Sequence, residues 1–492
     1  MNILLVNPET PCTFWSFHNA LKFISKKSSE PPLGLLTIAA MLPENWKIKL
    51  IDMNVTNLRD KDIKWADYVF LTGLSVQKES FKDVINRCNK LNISIVAGGS
   101  MCTMDHQEFL GVDHFVLNEA EITLPLFLAD LEKGIPRRVY STQEFPDITK
   151  SPVPRWELLD MRKYASISIQ YSRGCPFNCD FCTITMLNGR QPRTKTPNQF
   201  VSELDCLYKQ GWRGGVFIVD DNFIGNKKEV KNDLLPALIE WGKAKNFPFN
   251  YITEASINLA DDDALVELMV QAGFDSAFIG IETVNDSSLA ECGKAQNLKR
   301  DISASIQKLH NKGIMVSGGF IVGFDNDPPS IFEQMIQFIQ KSGVVTAMVG
   351  LLNAPKGTKL FQRLKSEDRL LNVMSGNNMD GSLNFIPKMD YKKLIAGYKY
   401  ILDTIYSQKA FYHRVKSFLK SYNFRNSGIR NISFWDIQAL FKSMFILGIL
   451  ERGRTYYWRL FFFALLKHPQ KFALSITLAI YGFHFRKVVQ TI

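Results

Sequence analysis

The sequence lacks the features that would send the chain out of the cell or across a membrane. It begins MNILLVNPET, without the series of basic segment, apolar segment and cleavage site, so we expect no secretory signal. The apolar stretch 461–485 is interrupted by Lys467, His468, Pro469 and Lys471, so no spanning helix is predicted. Eight cysteines in 492 residues are too few for a disulfide scaffold. A reducing cytoplasm is therefore the expected location.

Acidic residues are scarce at the C-terminal end. Residues 391–492 contain 17 Lys and Arg but only Asp403, Asp436 and Glu451, so the formal charge of +11 is concentrated there. The same segment holds 23 of the 59 aromatic residues. A shift of this kind marks a structural boundary, and it leaves the preceding chain slightly acidic.

The first 145 residues alternate short apolar runs with amphipathic ones. Strands are predicted at 3–6, 48–51, 68–71, 93–97 and 114–117, and helices at 33–42 and 77–91. Strands alternating with crossover helices favour an α/β fold with a doubly wound parallel sheet. Ligands of such sheets bind at the carboxyl ends of the strands, which here are 7–17, 72–76 and 98–101.

A second strand-helix series follows a proline-rich connector. The motif PDITKSPVP lies in a predicted linker, 146–165. Strands are then predicted at 166–170, 215–219, 249–253, 276–281, 315–322 and 346–351 within the segment 166–373. Six units are too few for an eightfold barrel, so a partial (β/α)6 barrel is expected. After the polar stretch MSGNNMD, the segment 374–492 is predicted to be mainly helical.

Three of the cysteines are crowded into the motif YSRGCPFNCDFCT. Cys175, Cys179 and Cys182 have C-x3-C-x2-C spacing directly after a predicted strand. Three thiolates this close can bind one face of an iron–sulfur cubane and leave one iron open for chemistry. The alternative is structural zinc, which requires a fourth Cys or His near by. The other five cysteines are scattered singly, which favours the cluster.

This motif resembles the signature of the radical S-adenosylmethionine superfamily, C-x3-C-x-aromatic-C on the loop after the first strand of a partial barrel. Phe181 occupies the aromatic position. The resemblance implies that the three cysteines bind a [4Fe-4S] cluster. It also implies that the open iron chelates S-adenosylmethionine. One-electron reduction by an external donor would then cleave the cosubstrate to methionine and a 5′-deoxyadenosyl radical.

Further cofactor contacts are implied at successive strand ends. By resemblance, Asp220, Asp221 and Asn222 would hold the methionine amino group, and Glu254, Ser256 and Glu282 would bind the ribose hydroxyls or the amino group. The motif GGFIVGFD, which contains Gly319 and Gly323, matches the strand beside adenine. An acidic pair read alone could equally be a strand-end cap. Recurrence at the carboxyl ends of barrel strands favours the functional interpretation.

Residues 1–145 resemble the cobalamin-binding domain that precedes the radical domain in one large class of this superfamily. The matches are PPLGLLTIAAML, Ser75 after the third strand, and Gly98 with Gly99 after the fourth, where small residues would admit the cofactor. The D-x-H-x-x-G motif that supplies a cobalt ligand in many such domains does not follow the first strand. His18 lies in the corresponding loop and is a candidate lower ligand, the alternative being a packed or hydrogen-bonding histidine.

Several stretches resemble the cobalamin-dependent radical methylases typified by hopanoid C-methylases. They are PETPCTFWSFHNAL, GRQPRTKTPNQFVSEL, GWRGGVFIVDDNFIGN and TEASINLADDDALVELMVQAGF. The resemblance implies that a methyl group passes from methylcobalamin to an unactivated carbon of a lipid-like or polycyclic substrate after the radical has removed hydrogen. No general base is then needed, which agrees with the lack of a Ser-His-Asp or paired-carboxylate motif. The alternatives are an oxidative cyclase or rearrangement enzyme similar to the tetrapyrrole cyclases, and a non-catalytic cobalamin-binding sensor.

The basic, aromatic C-terminal region allows two interpretations. Runs such as RGRTYYWRLFFFALL place Arg beside aromatics, as in helices that lie at the inner face of a membrane with cations on lipid headgroups. The alternative is a helical lid with a solvated basic face. Nucleic acid is not the expected partner, because long apolar runs are unusual in such proteins.

Overall fold

The computed structural model describes residues 1–371, 375–377, 379–424 and 434–492. Its N-terminal part is one parallel sheet with strand order β2-β1-β3-β4-β5-β6. The strands are β1 (Asn2–Asn7), β2 (Lys47–Asp52), β3 (Tyr68–Thr72), β4 (Ser94–Gly98), β5 (His114–Val116) and β6 (Val139–Tyr140). The helices are α1 (His18–Leu21), α2 (Leu33–Met41), α3 (Asp60–Lys64), α4 (Lys78–Lys90), α5 (Ser100–Asp105) and α6 (Ala120–Glu132).

This sheet is covered on both faces, as expected for a doubly wound fold. Successive side chains of a strand point to opposite faces. Ile3 and Leu5 accordingly pack in a core with residues of α2 and α6, whereas Leu4 and Val6 pack in a second core with residues of α4 and α5. A strand that is buried on both faces consists of consecutive apolar residues, and ILLV can therefore be recognised as a strand in the sequence.

The central part is a second parallel sheet of six strands, in the order β14-β13-β12-β11-β10-β7. They are β7 (Ser166–Ile169), β10 (Gly215–Ile218), β11 (Asn250–Ala255), β12 (Phe274–Glu282), β13 (Met315–Val322) and β14 (Ala347–Leu351). A short antiparallel pair, β8 (Ser172–Arg173) and β9 (Arg193–Thr194), brackets the cysteine motif. The six parallel strands confirm the predicted partial barrel.

Helices follow the barrel strands and pack on their outer face. They are α7 (Ile184–Leu187), α8 (Pro197–Lys209), α9 (Lys227–Glu229), α10 (Leu235–Ala244), α11 (Asp263–Ala272), α12 (Asp286–Glu291), α13 (Ile302–Lys312), α14 (Ile331–Ser342) and α15 (Lys359–Ser366). Phe320 of β13 packs against Phe338 of α14, with ring centroids 6.1 Å apart. Its neighbours Gly319 and Ile321 are only partly buried and therefore face the inside of the barrel.

The C-terminal part is helical, as predicted. Its helices are α16 (Tyr391–Ile405), α17 (Gln408–Ser421), α18 (Phe434–Phe445), α19 (Arg454–Lys467) and α20 (Phe472–Val489), and a π-helical turn, Ile446–Leu450, extends α18. These helices pack on the barrel rather than standing apart from it. The Tyr406 hydroxyl donates to the carbonyl of Ala347 in β14 at 2.6 Å, and the Tyr422 hydroxyl donates to the Gly313 carbonyl at 3.0 Å.

The last helix also contacts the loop after β1. The ring of Phe485 lies 5.5 Å from that of Phe14, and His484 Nε2 lies 3.1 Å from the Phe14 carbonyl oxygen. By length and composition, Pro469–Val489 could cross a membrane, but half of its apolar window is buried inside the protein. The same test is passed by core helices, and these contacts make α20 a core helix of this fold.

Two of the proposed domain limits can be compared with the structure, namely the linker 146–165 and the start of the C-terminal region at residue 374. The segment 146–165 contains three short 3-10 turns and buries Trp156 completely, so this linker is packed against the rest of the chain. Residue 374, the proposed start of the C-terminal region, lies outside the described residues. The limits 1–145, 146–165, 166–373 and 374–492 stay predictions.

Candidate cluster and cofactor site

The three clustered cysteines lie on a loop between β8 and α7, at the carboxyl end of the barrel. The Cys175 amide donates to the Gly189 carbonyl at 3.2 Å, and the Cys182 amide donates to the Cys179 carbonyl at 3.1 Å. Gly174 has φ of +96°, and a Cβ there would lie 2.8 Å from the Gln191 carbonyl oxygen. The loop can therefore turn only with glycine before its first cysteine.

The chemistry of these thiols suits a metal cluster. All three are free and partly buried. Burial raises the pKa of Cys175 and Cys179, and it raises the pKa of Cys182 to about 12, while the charges of its cysteine neighbours add to the effect. Such thiols stay protonated at neutral pH unless a positively charged group binds them.

The arrangement also discriminates between the cluster and zinc. Among the described residues, no three His, Cys, Asp or Glu side chains are grouped as ligands of one metal ion. Ligands of a cubane bind different iron atoms and need not converge on one point, whereas zinc draws four ligands to about 2.0–2.3 Å. Three cysteines meet the ligand number of a [4Fe-4S] cluster with one open iron, whereas a structural zinc site requires four ligands.

Asp220 and Asp221 brace the cysteine loop. Asp220 is fully buried and accepts hydrogen bonds from the Tyr171 and Ser172 amides, both at 2.8 Å. Asp221 accepts from the Gly174 amide and from Asn188 Nδ2, both at 2.9 Å. Both carboxylates are therefore engaged by the segment that positions the first cysteine. Their predicted contact with the methionine amino group stays a prediction.

A cavity of about 390 Å³ opens beside this loop. Its volume lies within the range of about 300–1,000 Å³ that is usual for small-molecule sites. Asn222 and Ser256 line it, with Asn222 Nδ2 3.3 Å from Ser256 Oγ and 4.0 Å from Cys175 Sγ. The other lining residues are Pro176, Phe177, Pro192, Ile224, Gly225, Asn226, Lys227 and Asn258. The cavity thus brings two predicted cosubstrate residues to the first cysteine.

Glu282 forms a buried ion pair that the sequence did not predict. Its Oε1 lies 2.7 Å from Lys294 Nζ, and both side chains are almost fully buried. Burial lowers the pKa of Lys294, but the negative charges of Glu282 and of Cys179 in its thiolate form outweigh burial and raise this pKa above its usual range. A single lysine twelve positions after the carboxylate has no local signal. Only the fold brings it to the cysteines.

Backbone geometry at Glu282 is adapted to this pair. Glu282 has φ of +64° at a break in the register between β12 and β13. Such strain in a non-glycine residue is characteristic of functional sites. A Cβ on Gly280 would lie 2.4 Å from Glu282 Oε1 and 2.8 Å from Lys294 Nζ, so the pair occupies space that only glycine leaves. Near by, Gln296 Oε1 and Asn297 Oδ1 are buried without a partner among the described residues, as expected where a polar ligand binds.

Glu254 is the penultimate residue of β11 and lies inside the barrel. Burial raises its pKa to about 7, and the charges of Asp221 and Glu30 add to this effect. Burial likewise raises the pKa of Glu30 to about 7. Two carboxyl groups that titrate near neutrality therefore lie close enough to interact electrostatically. Glu30 was missed because it lies in the N-terminal part of the chain, far from the barrel motifs in sequence.

We expect these carboxyls to make the apoprotein less stable as the pH rises. A raised folded-state pKa contributes stability below the normal carboxyl range, and that contribution is lost as the pH rises through about 7. Glu254→Gln should flatten this dependence in thermal unfolding measured from about pH 5 to pH 8. Glu44 is exposed, and Glu44→Gln is therefore the control for the loss of one carboxylate without burial. An unchanged slope in Glu254→Gln would contradict the assignment.

The remaining predicted barrel residues, Phe181, Gly319 and Gly323, all have apolar neighbours. A Cβ on Gly319 would lie 2.9 Å from the ring of Phe278, which in turn packs on Trp15 with centroids 4.6 Å apart. Phe181 lies 6.3 Å from Phe324, centroid to centroid. Gly323 has φ of +108° and faces Leu394 of α16. Gly319 therefore lies at the inner surface, whereas Gly323 lies where the C-terminal helices pack.

The glycines after β4 are required by packing. A Cβ on Gly98 would lie 2.6 Å from the Val116 carbonyl oxygen, and one on Gly99 would lie 2.4 Å from Thr72 Oγ1. Ser75 begins a 3-10 turn after β3 and contacts Gly376. These contacts explain the small residues without a cofactor, and cobalamin binding by Gly98, Gly99 and Ser75 stays a prediction.

His18 is exposed at the start of α1, on the loop after β1. Partial burial of the ring lowers the pKa of His18, and the positive charge of Lys22 lowers it further, so the neutral ring is favoured. The neighbouring Phe17 packs on Tyr481 of α20, with centroids 4.9 Å apart. The loop is therefore held by the C-terminal helix, and cobalt ligation by His18 stays a prediction.

An ion network joins the N-terminal sheet to the cysteine loop. Arg173, two residues before Cys175, donates to Glu119 at 2.7 Å and to Glu121 at 2.8 Å. Arg193 donates to the other oxygen of Glu119 at 2.7 Å. The stretch NEAE, shortly after β5, places two carboxylates at a strand end and is the sequence signal that could have indicated this network. The network fixes the cluster loop relative to the predicted cobalamin domain.

Family models match this architecture. Residues 169–339 match the radical SAM superfamily, residues 23–128 match the B12 binding domain, and residues 358–492 match a domain of unknown function, DUF4070. An uncharacterized methyltransferase from Synechocystis sp. is 38% identical over 490 residues, which are 99% of this chain and 91% of that protein. Hopanoid C-2 methylase from Rhodopseudomonas palustris is 34% identical over 417 residues, with 84% and 78% coverage.

The chain is a cobalamin-binding radical S-adenosylmethionine enzyme. Solved structures share its fold: the methyltransferase TsrM from Kitasatospora setae has a TM-score of 0.60 at 16% identity and covers 76% of this chain and 77% of its own. The cobalamin-dependent radical enzyme OxsB has a TM-score of 0.62 at 14% identity, with 100% and 80% coverage.

These findings confirm the fold class, the family and the cofactors expected from the sequence. S-adenosylmethionine and the [4Fe-4S] cluster belong to the radical barrel, and cobalamin belongs to the N-terminal sheet. This radical enzyme groups with methyltransferases, since the two relatives described above carry that activity in their names. It acts on a small molecule and requires a reductant.

Proposed function

We propose that the enzyme places a methyl group on an unactivated carbon of an apolar polycyclic or lipid-like molecule. The observation that carries this proposal is the apolar inner surface of the barrel, where Phe278 contacts both Trp15 and Gly319. An apolar inner surface suits a ring system without polar handles. Hopanoid C-2 methylase, which shares 34% of its aligned residues, acts on a substrate of this kind by its name.

The residues of this chain have distinct roles in the proposal. When bound, the cluster and S-adenosylmethionine supply the radical that removes hydrogen, and cobalamin supplies the methyl group. Cys175, Cys179 and Cys182 hold the cluster, and the cavity at Asn222 and Ser256 accepts part of the cosubstrate. The Gly174 turn and the two aspartates that brace it keep the three thiols in position.

Lys294 is the candidate partner for the carboxylate of S-adenosylmethionine. It is a buried cation that interacts electrostatically with Cys179 and Cys182, and among the described residues its carboxylate partner is Glu282, which accepts through one oxygen. A second anion can therefore bind to the same ammonium, which has three donor hydrogens. Glu282 orients Lys294 in this proposal, whereas the sequence predicted that it binds the ribose hydroxyls or the methionine amino group.

The test is an anaerobic incubation of the reduced holoenzyme with deuteromethyl S-adenosylmethionine and a total bacterial lipid extract. We expect a deuteromethyl group in an apolar product by mass spectrometry, together with 5′-deoxyadenosine. Omitting cobalamin should abolish the label. Deoxyadenosine without a labelled product would contradict methylation and favour oxidative cyclisation, the activity named for a Synechocystis magnesium-protoporphyrin cyclase that is 27% identical over 374 residues.

The same proposal places the enzyme in the cytoplasm, in peripheral contact with the membrane through its C-terminal region. Two observations support this placement: the high proportion of Lys and Arg in residues 391–492, and an apolar substrate that would reside in a bilayer. An external one-electron donor completes the set of partners. No interaction with nucleic acid is proposed.

A further inference from the structure

The helix α18 exposes an apolar stripe with the spacing of one helix face. Ile437, Phe441, Phe445 and Ile449 follow one another at intervals of four residues and are all exposed, Phe441 by 64%. The opposite face, with Ala439, Ser443 and Leu447, is buried against the protein. Contiguous exposed apolar side chains of this size mark an interaction surface.

The stripe continues onto α19. Trp458 donates its indole N–H to the Gly448 carbonyl at 2.9 Å and stacks on Phe462, with centroids 5.9 Å apart. Phe462 and Leu466 are both exposed, Leu466 by 77%. Because Gly448 precedes Ile449, Trp458 connects the exposed edges of the two helices. We call Ile437, Phe441, Phe445, Ile449, Phe462 and Leu466 the apolar stripe.

Basic residues accompany the apolar stripe. Residues 434–471 contain six Lys and Arg against two acidic residues, Asp436 and Glu451. Arg452, Arg454 and Arg459 are exposed, and all three flank the apolar side chains in sequence. Apolar side chains beside cations are complementary to the surface of an anionic bilayer, where the rings enter the acyl boundary and the cations bind phosphates.

The apolar stripe is connected to the barrel through the loop after β1. Lys442, between two stripe residues, donates to the Lys22 carbonyl and to Ser25 Oγ, both at 2.9 Å. The same loop carries Trp15, which packs on Phe278 inside the barrel at 4.6 Å. A protein resting on a bilayer by this face would thus hold one wall of its substrate site on the element next to the membrane.

We infer that the apolar stripe docks the enzyme on the surface of an anionic membrane, from which its apolar substrate enters the barrel. This inference deepens the proposed function and rests on it for the identity of the substrate class. The docking itself depends only on the exposed residues of α18 and α19 and their cations. Binding and methyl transfer can therefore be tested separately.

The experiment is flotation of the full-length holoenzyme with vesicles of phosphatidylcholine, with and without phosphatidylglycerol. We expect binding that depends on phosphatidylglycerol. Phe441→Ser/Phe445→Ser should lower the partition coefficient about tenfold, because two aromatic rings leave the acyl boundary. Arg452→Gln/Arg454→Gln should lower it about fivefold per charge and only on anionic vesicles. The matched control, Leu110→Ser/Ile135→Ser, removes equally exposed apolar side chains from the N-terminal part.

Three results would overturn the inference. The first is that the parent protein stays unbound on anionic vesicles, and the second is that the stripe variant floats like the parent. Alternatively, sedimentation velocity could show that the stripe variant converts a dimer into a monomer, in which case a second copy covers the stripe. Failure of flotation with deuteromethyl transfer intact in detergent would refute the docking alone. Successful flotation without methyl transfer would refute the proposed function alone.

Discussion

Cys179→Ala is expected to abolish the brown iron–sulfur chromophore and the formation of 5′-deoxyadenosine. Cys179 is the central cysteine of the loop, and burial raises its thiol pKa, so only cluster binding gives its thiolate a role. With two cysteines left, the cubane loses one of three protein ligands. Iron and sulfide analysis after anaerobic reconstitution and the visible spectrum provide the measurement. Activity should fall to the background of the uncatalysed reaction.

Cys206→Ala is the matched control for this change. Cys206 is a partly buried free thiol on α8, and Gln210 Nε2 lies 3.7 Å from its sulfur. Its replacement should leave both the chromophore and deoxyadenosine formation intact. If Cys179→Ala retained four irons and cleavage, the assignment of the cysteine loop as the cluster site would have to be abandoned.

Lys294→Met is expected to have the second large effect, on both stability and cosubstrate cleavage. The substitution leaves Glu282 as an unpaired carboxylate at a site where both side chains are almost fully buried. Removing one partner of a buried ion pair destabilises a protein by about 3–5 kcal/mol. Denaturant unfolding of the apoprotein measures this loss. Anaerobic turnover measures the loss of deoxyadenosine formation.

A double variant separates the two effects. Lys294→Met/Glu282→Gln removes both charges, so most of the stability should return, because a buried pair replaced as a whole is often neutral. Cleavage of S-adenosylmethionine should stay impaired, because the proposed partner of its carboxylate is still missing. Recovery of cleavage in the double variant would show that Lys294 has only a structural role. Gly280→Ala should resemble the single variant, because its Cβ displaces the pair.

The sequence predicted those parts of the molecule that depend on local patterns. Strands such as ILLV, buried on both faces, and helices with regular apolar spacing were placed within a few residues of their observed bounds. Cys175, Cys179 and Cys182 were recognised because cluster ligands on one loop are close in sequence. The acidic residues were identified as a group because they recur at the ends of successive predicted strands.

Contacts between segments that are distant in the chain could not be predicted from the sequence. Lys294 reaches Glu282 only through the fold, and Glu30 joins Glu254 from another part of the chain. Asp220 and Asp221 accept hydrogen bonds from backbone amides at and before the cysteine loop, a role that the sequence did not indicate, and their contact with the cosubstrate stays a prediction. Such partners are determined by three-dimensional packing, and the spacing of residues in the sequence does not predict them.

The contact between α20 and the loop after β1 can form only after the barrel has been synthesised. The imidazole of His484 accepts from the Asn19 amide at 3.4 Å and reaches the Phe14 carbonyl across 470 positions of the chain. Ribosomes release segments from the N-terminus onwards, so the N-terminal sheet can fold before these contacts exist. Phe14 and Phe17 can pack on Phe485 and Tyr481 only after the final helix has left the exit tunnel. The loop that carries Trp15 therefore gains its contacts with α20 later than its contacts with the sheet.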